Sequence, residues 1–158
     1  VAEAICQRTG RLLPLAELIT LKERHGAMLV LDEALSIGTL GAHGRGLCEF
    51  SGIEPSRVDA IVGSLEHAFA NVGGFCAGRQ SLVDHQRLAG AGYCFSAACP
   101  PAACSAATAV LADLTCESGV ARLARLRANT ELLHCTLRSS LSSADVELVS
   151  SPQAFTQH

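Results

Sequence analysis

Lysine is nearly absent from this sequence. One of the 158 residues is lysine, Lys22, against eleven arginines. Lysine is the side chain that forms Schiff bases, so that chemistry has a single candidate here. Tryptophan is missing and aromatic residues make up only 4%. The net charge is -3 and no basic run occurs. The chain therefore lacks the basic and aromatic footprint of a nucleic-acid binder, and nucleic acid is excluded as a partner. No apolar run reaches the roughly eighteen residues that a membrane-spanning helix needs, and no signal peptide is visible. The sequence opens on Val1 without a methionine, and it is expected to be a fragment of a longer protein.

Eight cysteines are present, yet no C-x-x-C pair occurs. Cys94, Cys99 and Cys104 recur every five residues, which suits neither a zinc site nor a compact disulfide framework. Most of the cysteines lie among Ala, Val and Leu and read as reduced cysteines used as small apolar core residues. No metal site is expected.

What is there is enough for one ordinary domain with a core: 49% hydrophobic and 17% charged residues. PLAELITLKERH (14–25) reads as a helix with Pro14 in its first turn and Gly26 as its stop. Its stripe is Leu15, Leu18 and Ile19, with Lys22, Glu23 and Arg24 solvated. AMLVLD (27–32) and VDAIVGS (58–64) read as buried strands, with GGFCAG (73–78) a third. Helices are expected over 79–90, 100–114 and 119–141, the last carrying Leu133, Leu137 and Leu141 four apart. YCFS (93–96) and VELVS (146–150) read as short strands. Continuous apolar strands alternating with helices indicate an α/β sheet covered on both faces.

Several residues are candidates for chemistry. Asp32 closes a buried strand, and ligands of open α/β sheets bind at the carboxyl ends of strands. An acid there pairs with a cationic ring nitrogen, a ribose hydroxyl or a metal, or it caps a turn. The loop GTLGAHGRG (38–46) invites a phosphate reading but lacks both G-x-G-x-x-G and G-K-[ST], so a plain turn competes with it. Ser64 and His67 are three apart in SLEHAFANVGGF (64–75), without a nucleophile elbow. In YCFSAACPP, Ser96 and nearby N–H groups precede a helix start, a place suited to an anion or to capping.

The order of LDEALSIGTLGAHGRG, SLEHAFANVGGFCAG and DHQRLAGAGYCFSAACPP resembles the α-oxoamine synthases, pyridoxal-phosphate enzymes of the aspartate-aminotransferase fold. The resemblance runs over nearly the whole chain but covers less than half of that family's usual length. It implies an α/β fold: residues 1–116 as part of the large domain of a fold type I transferase, and 117–158 as the start of the small C-terminal domain. It also implies site roles. Asp32 falls where the family's acid meets the pyridine nitrogen. Leu35 stands where catalytic members have a histidine. Ser64 precedes the catalytic loop, and the Schiff-base lysine falls at His67. Imidazole has no primary amine and cannot form that Schiff base.

The resemblance is strongest to the lysine-lacking subunits of the branch that condenses L-serine with long-chain acyl-CoA. Such a subunit pairs with a lysine-bearing catalytic subunit, and the active sites lie at the interface. The implied reading is a non-catalytic partner with no catalytic residue of its own. Pyridoxal phosphate would be bound covalently by the other subunit, and Ser96 would reach the cofactor phosphate in trans. Location at the cytosolic face of the endoplasmic reticulum membrane, through segments outside this chain, follows from the same resemblance. Three other readings stand beside it. They are a self-sufficient aminolevulinate- or amino-ketobutyrate-type synthase, a decayed scaffold, and a nicotinamide-binding domain without its glycine fingerprint.

Overall fold

The computed structural model describes residues 1–141 and 147–158. Its centre is a four-stranded sheet with strands β1 (Ala2–Glu3), β2 (Val30–Asp32), β3 (Ala60–Ser64) and β4 (Gly74–Gly78), in that spatial order. The first three are parallel, with Glu3 beside Asp32 and Asp32 beside Val62. β4 runs antiparallel along β3, placing Gly74 opposite Ser64. Parallel neighbours need long crossovers. Helix α1 (Leu15–His25) makes the first, and the short helix α2 (Leu47–Phe50) lies in the second.

Helix α1 forms where the pattern requires. Leu15 and Ile19, four apart, are buried. Glu17 lies in the first turn and Lys22, Arg24 and His25 in the last, matching the helix dipole. The Gly26 N–H closes the end on the Lys22 carbonyl. This helix packs its apolar face on the sheet. The core is Ala4, Leu15, Ile19, Leu29, Leu31, Leu40, Leu47, Cys48 and Val58.

Lys22 is not solvated, contrary to the reading from its charged neighbours. Its Nζ sits 2.8 Å from Asp59 Oδ2 and also donates to the Arg57 carbonyl. Asp59 in turn accepts the Leu29 N–H at 2.7 Å. Burial pushes the Asp59 carboxyl up, but Lys22 and the Leu29 N–H outweigh it and hold it below its ordinary range.

The remaining helices are α3 (Gln80–Ala89), α4 (Ala91–Cys94), α5 (Pro101–Thr115) and α6 (Glu117–Leu141). Residues 93–94 of YCFS belong to α4 rather than to a strand. The turn begins after Gly90, whose carbonyl accepts the Tyr93 and Cys94 N–H groups. The residues of α6 that bury are Gly119, Leu123, Thr130 and His134. Leu133 is exposed and Leu137 and Leu141 only partly buried, so the leucine stripe does not face the core. Of the expected strand VELVS, Val146 lies outside the described residues, and residues 147–150 form no strand. Instead the tail folds back on the amino-terminal segment: Ser151 N–H donates to the Gly10 carbonyl, and Leu12 N–H to Ser151 Oγ. β4, expected to be buried, is an exposed edge strand. The cysteines, expected in the core, are mostly outside it: Cys48 is buried, and Cys94, Cys104, Cys116 and Cys135 are exposed.

Candidate functional site

Three parallel strands release their chain ends along one edge of the sheet, the edge at which open α/β folds hold ligands. Here they converge on a small cavity of about 60 Å³, lined by residues that include Glu3, Ile5, Asp32, Leu35 and His67. Asp32 comes from the end of β2 and Leu35 from the turn after it. His67 comes from the loop after β3. Three positions singled out from the sequence thus meet in space.

Asp32 is held by its own turn, since its Oδ1 accepts the Ala34 N–H at 2.8 Å. Ser64 does the same one strand along, with its Oγ accepting the Glu66 N–H at 3.0 Å. Ser64 does not line the cavity, and neither does Ser96. Ser96 is exposed after α4, where its hydroxyl donates to the Gly92 carbonyl.

The loop that carries His67 is fully built. Leu65 N–H donates to the Gly73 carbonyl at 2.9 Å, and Asn71 N–H to the Leu65 carbonyl at 2.8 Å. Leu65 and Phe69 are buried and anchor it. The Asn71 side-chain amide donates to the Ala103 carbonyl at 2.7 Å, which ties the loop to α5. On its other side it presses on the glycine-rich loop. A Cβ at Gly38 would lie 2.3 Å from the Ala68 Cβ.

The glycine-rich loop holds no open anion cradle, because two carboxylates of the chain itself fill it. Glu33 is buried, accepts the Leu47 N–H at 2.9 and 3.0 Å, and accepts the Ser36 hydroxyl. Burial pushes its carboxyl above the ordinary range, although the bonds from Ser36, Leu47 and Cys48 oppose this. Glu49 accepts the His43 and Arg45 N–H groups at 3.0 and 3.1 Å and meets His43 Nδ1 at 2.6 Å. Burial pushes Glu49 up too, but the His43 and Arg45 bonds win and hold it below its ordinary range. Gly46 adopts φ +88°, and a Cβ there would lie 2.4 Å from Glu33 Oε2. The glycine exists for that contact.

Sequence reasoning missed Glu33 and Glu49. The available signal was an acid directly after a buried strand, followed by glycines that need an internal partner.

The cofactor implied by the resemblance is pyridoxal phosphate, and the donor set here does not fit its covalent attachment. The cavity between Asp32 and His67 offers the carboxylates of Glu3 and Asp32 and an imidazole but no lysine. The only lysine, Lys22, is held on Asp59. Asp59 directly precedes β3, at the opposite edge of the sheet from the exits of β2 and β3.

This architecture is the α/β fold of type I pyridoxal-phosphate-dependent transferases, and residues 2–157 match the model of the family "Aminotransferase class I and II", to which the chain belongs. Long chain base biosynthesis protein 1c of Oryza sativa subsp. japonica is 44% identical over 134 residues, covering 85% of this chain and 27% of that protein. Serine palmitoyltransferase 1 of Dictyostelium discoideum is 42% identical over 111 residues, 70% of this chain and 23% of that protein. The chain therefore spans about a quarter of the length of the curated relatives it matches.

Among solved structures, the Sphingomonas wittichii serine palmitoyltransferase superposes with a TM-score of 0.82 at 31% identity, over 96% of this chain and 37% of that one. A serine palmitoyltransferase from S. paucimobilis with bound pyridoxal phosphate–myriocin aldimine gives 0.79 at 30% identity, over 94% and 36%.

Proposed function

We propose that this chain is part of the non-catalytic subunit 1 of a serine palmitoyltransferase. Its role is to complete the site of subunit 2, a lysine-bearing catalytic partner, in a heterodimer. The assembled enzyme condenses L-serine with long-chain acyl-CoA, releasing CoA and carbon dioxide to give 3-ketosphinganine. The partner holds pyridoxal phosphate covalently, and this chain alone is inactive. Residues 117–158 begin the small domain, and Ser96 contacts the cofactor phosphate across the interface. The complex sits at the cytosolic face of the endoplasmic reticulum membrane through segments outside this chain.

One observation carries the reading. Asp32, Leu35 and His67 share one cavity at the carboxyl edge of the sheet, while the sole lysine is engaged at the other edge. The loop bearing His67 keeps its glycines and its anchors without an amine. The similarity to long-chain-base and serine palmitoyltransferase subunits supports the choice of reaction.

The experiment is absorbance spectroscopy of the full-length protein after addition of pyridoxal phosphate and dialysis, alone and with its partner. The expected result is a retained Schiff-base band only with the partner present. A dialysis-resistant band from this subunit alone overturns the reading in favour of a self-sufficient synthase.

A further inference from the structure

We propose that Cys99 and Cys104 form a dithiol modification site, in which a small disulfide such as glutathione disulfide oxidises the two thiols to an intramolecular disulfide. The five-residue repeat of cysteines takes no part in the cavity between Asp32 and His67. Geometry gives it one. Pro100 is the N-cap of α5, with φ -60° and ψ 143°, and Pro101 opens the helix. Cys99 is then the residue before the cap, and Cys104 is the fourth helical residue. Those two positions are where side chains meet across a helix start, in the arrangement known as a hydrophobic staple.

The contact is present. Cys104 Sγ donates to the Cys99 carbonyl at 3.9 Å, which sets its thiol against the residue before the cap. The two prolines fix φ at the cap and at the first helical residue, so the placement of Cys99 against Cys104 is built into the backbone. Cys104 is exposed and Cys99 partly so, which leaves the pair open to a small oxidant. Three other thiols have different neighbours. Cys48 is buried, and burial pushes it up to about 11. Cys94 bonds to the Arg87 carbonyl, and Cys116 to the Asp113 carbonyl and the Ser118 hydroxyl.

The reaction is a two-step exchange. One protein thiolate attacks glutathione disulfide, forms a mixed disulfide and releases one glutathione thiolate. The second protein thiol, on losing its proton, attacks the protein-bound sulfur and releases the second glutathione. Two protein thiols are oxidised, one glutathione disulfide is reduced to two thiols, and the protons balance. The new bond would close the first turn of α5 beside Ala103, whose carbonyl accepts Asn71 from the His67 loop. A Cβ at Gly73 of that loop would lie 3.4 Å from Cys99 Sγ.

The test uses the full-length protein, reduced, exposed to glutathione disulfide, alkylated and then mapped by mass spectrometry with fragmentation. The expected result is loss of alkylation at Cys99 and Cys104, with a link between them that lacks two hydrogens and that dithiothreitol reverses. Cys99→Ser should abolish the link and leave Cys104 carrying glutathione. Alkylation of Cys99 and Cys104 to the same extent as exposed Cys135 overturns the proposal. So do stable glutathione adducts on both thiols, or a link joining another pair.

Discussion

Residues 1–65 and residues 72–141 are two different kinds of surface. The first set holds every member of the main core cluster, and its polar groups are closed on one another through Glu33, Glu49 and Asp59. In the second set α3 has no buried residue and α5 has only Ala103, while Leu88 and Phe95 are 84% and 89% exposed. The lesson is that apolar composition does not mark the core. The alanine-rich α5 is more apolar than α1, yet α1 is the helix that packs on the sheet.

This contrast can be broken, and the largest effect belongs to the closed side. Gly46→Ala should cost about 4 kcal/mol, because the new Cβ must displace a buried carboxylate from its hydrogen bonds and the residue must hold a left-handed φ. Urea denaturation of the full-length protein measures this, and a loss under about 1 kcal/mol would show that the Glu33 contact yields. Ile19→Ala should cost about 3 kcal/mol through transfer and cavity effects, whereas Leu88→Ser on the open side should stay within about 0.5 kcal/mol. Equal losses for that pair would erase the distinction between the two regions.

Lys22→Met falls between these extremes, at about 2 kcal/mol near neutral pH, since Asp59 loses its charged partner. The sign with pH follows from the depressed Asp59 carboxyl. Its stabilisation is complete above its ordinary range and is lost as pH falls through the lower, folded-state value. Removing Lys22 should shrink that acid loss, so the wild-type and Lys22→Met stability curves converge as pH drops. Parallel curves down to acid pH would show that the loss does not come from the Lys22–Asp59 charge pair.

Helices α1, α3, α5 and α6 were legible because their periodicity, prolines and glycines are local signals. The misreadings come from partners distant in sequence. Lys22 looks solvated inside LKERH because Asp59 lies in a different segment. The glycine-rich loop looks like an anion cradle because one carboxylate that fills it, Glu33, precedes it and the other, Glu49, follows it. YCFS suggests a strand by residue type, yet the chain after Gly90 turns helical where no neighbouring strand is offered to it. At the site, Asp32 and His67 were recognisable one by one. That they share a cavity with Leu35 depends on β2 and β3 being parallel neighbours, which only the pairing register establishes.

The Asn71 amide is a strut. It spans from the loop that carries His67 to a backbone carbonyl of α5, and the loop's other flank is wedged against the Gly38 turn. Braced on both sides, the loop takes its position from α5 and from the Gly38 turn. The region with almost no core of its own thereby has mechanical hold on the cavity of the region that has one.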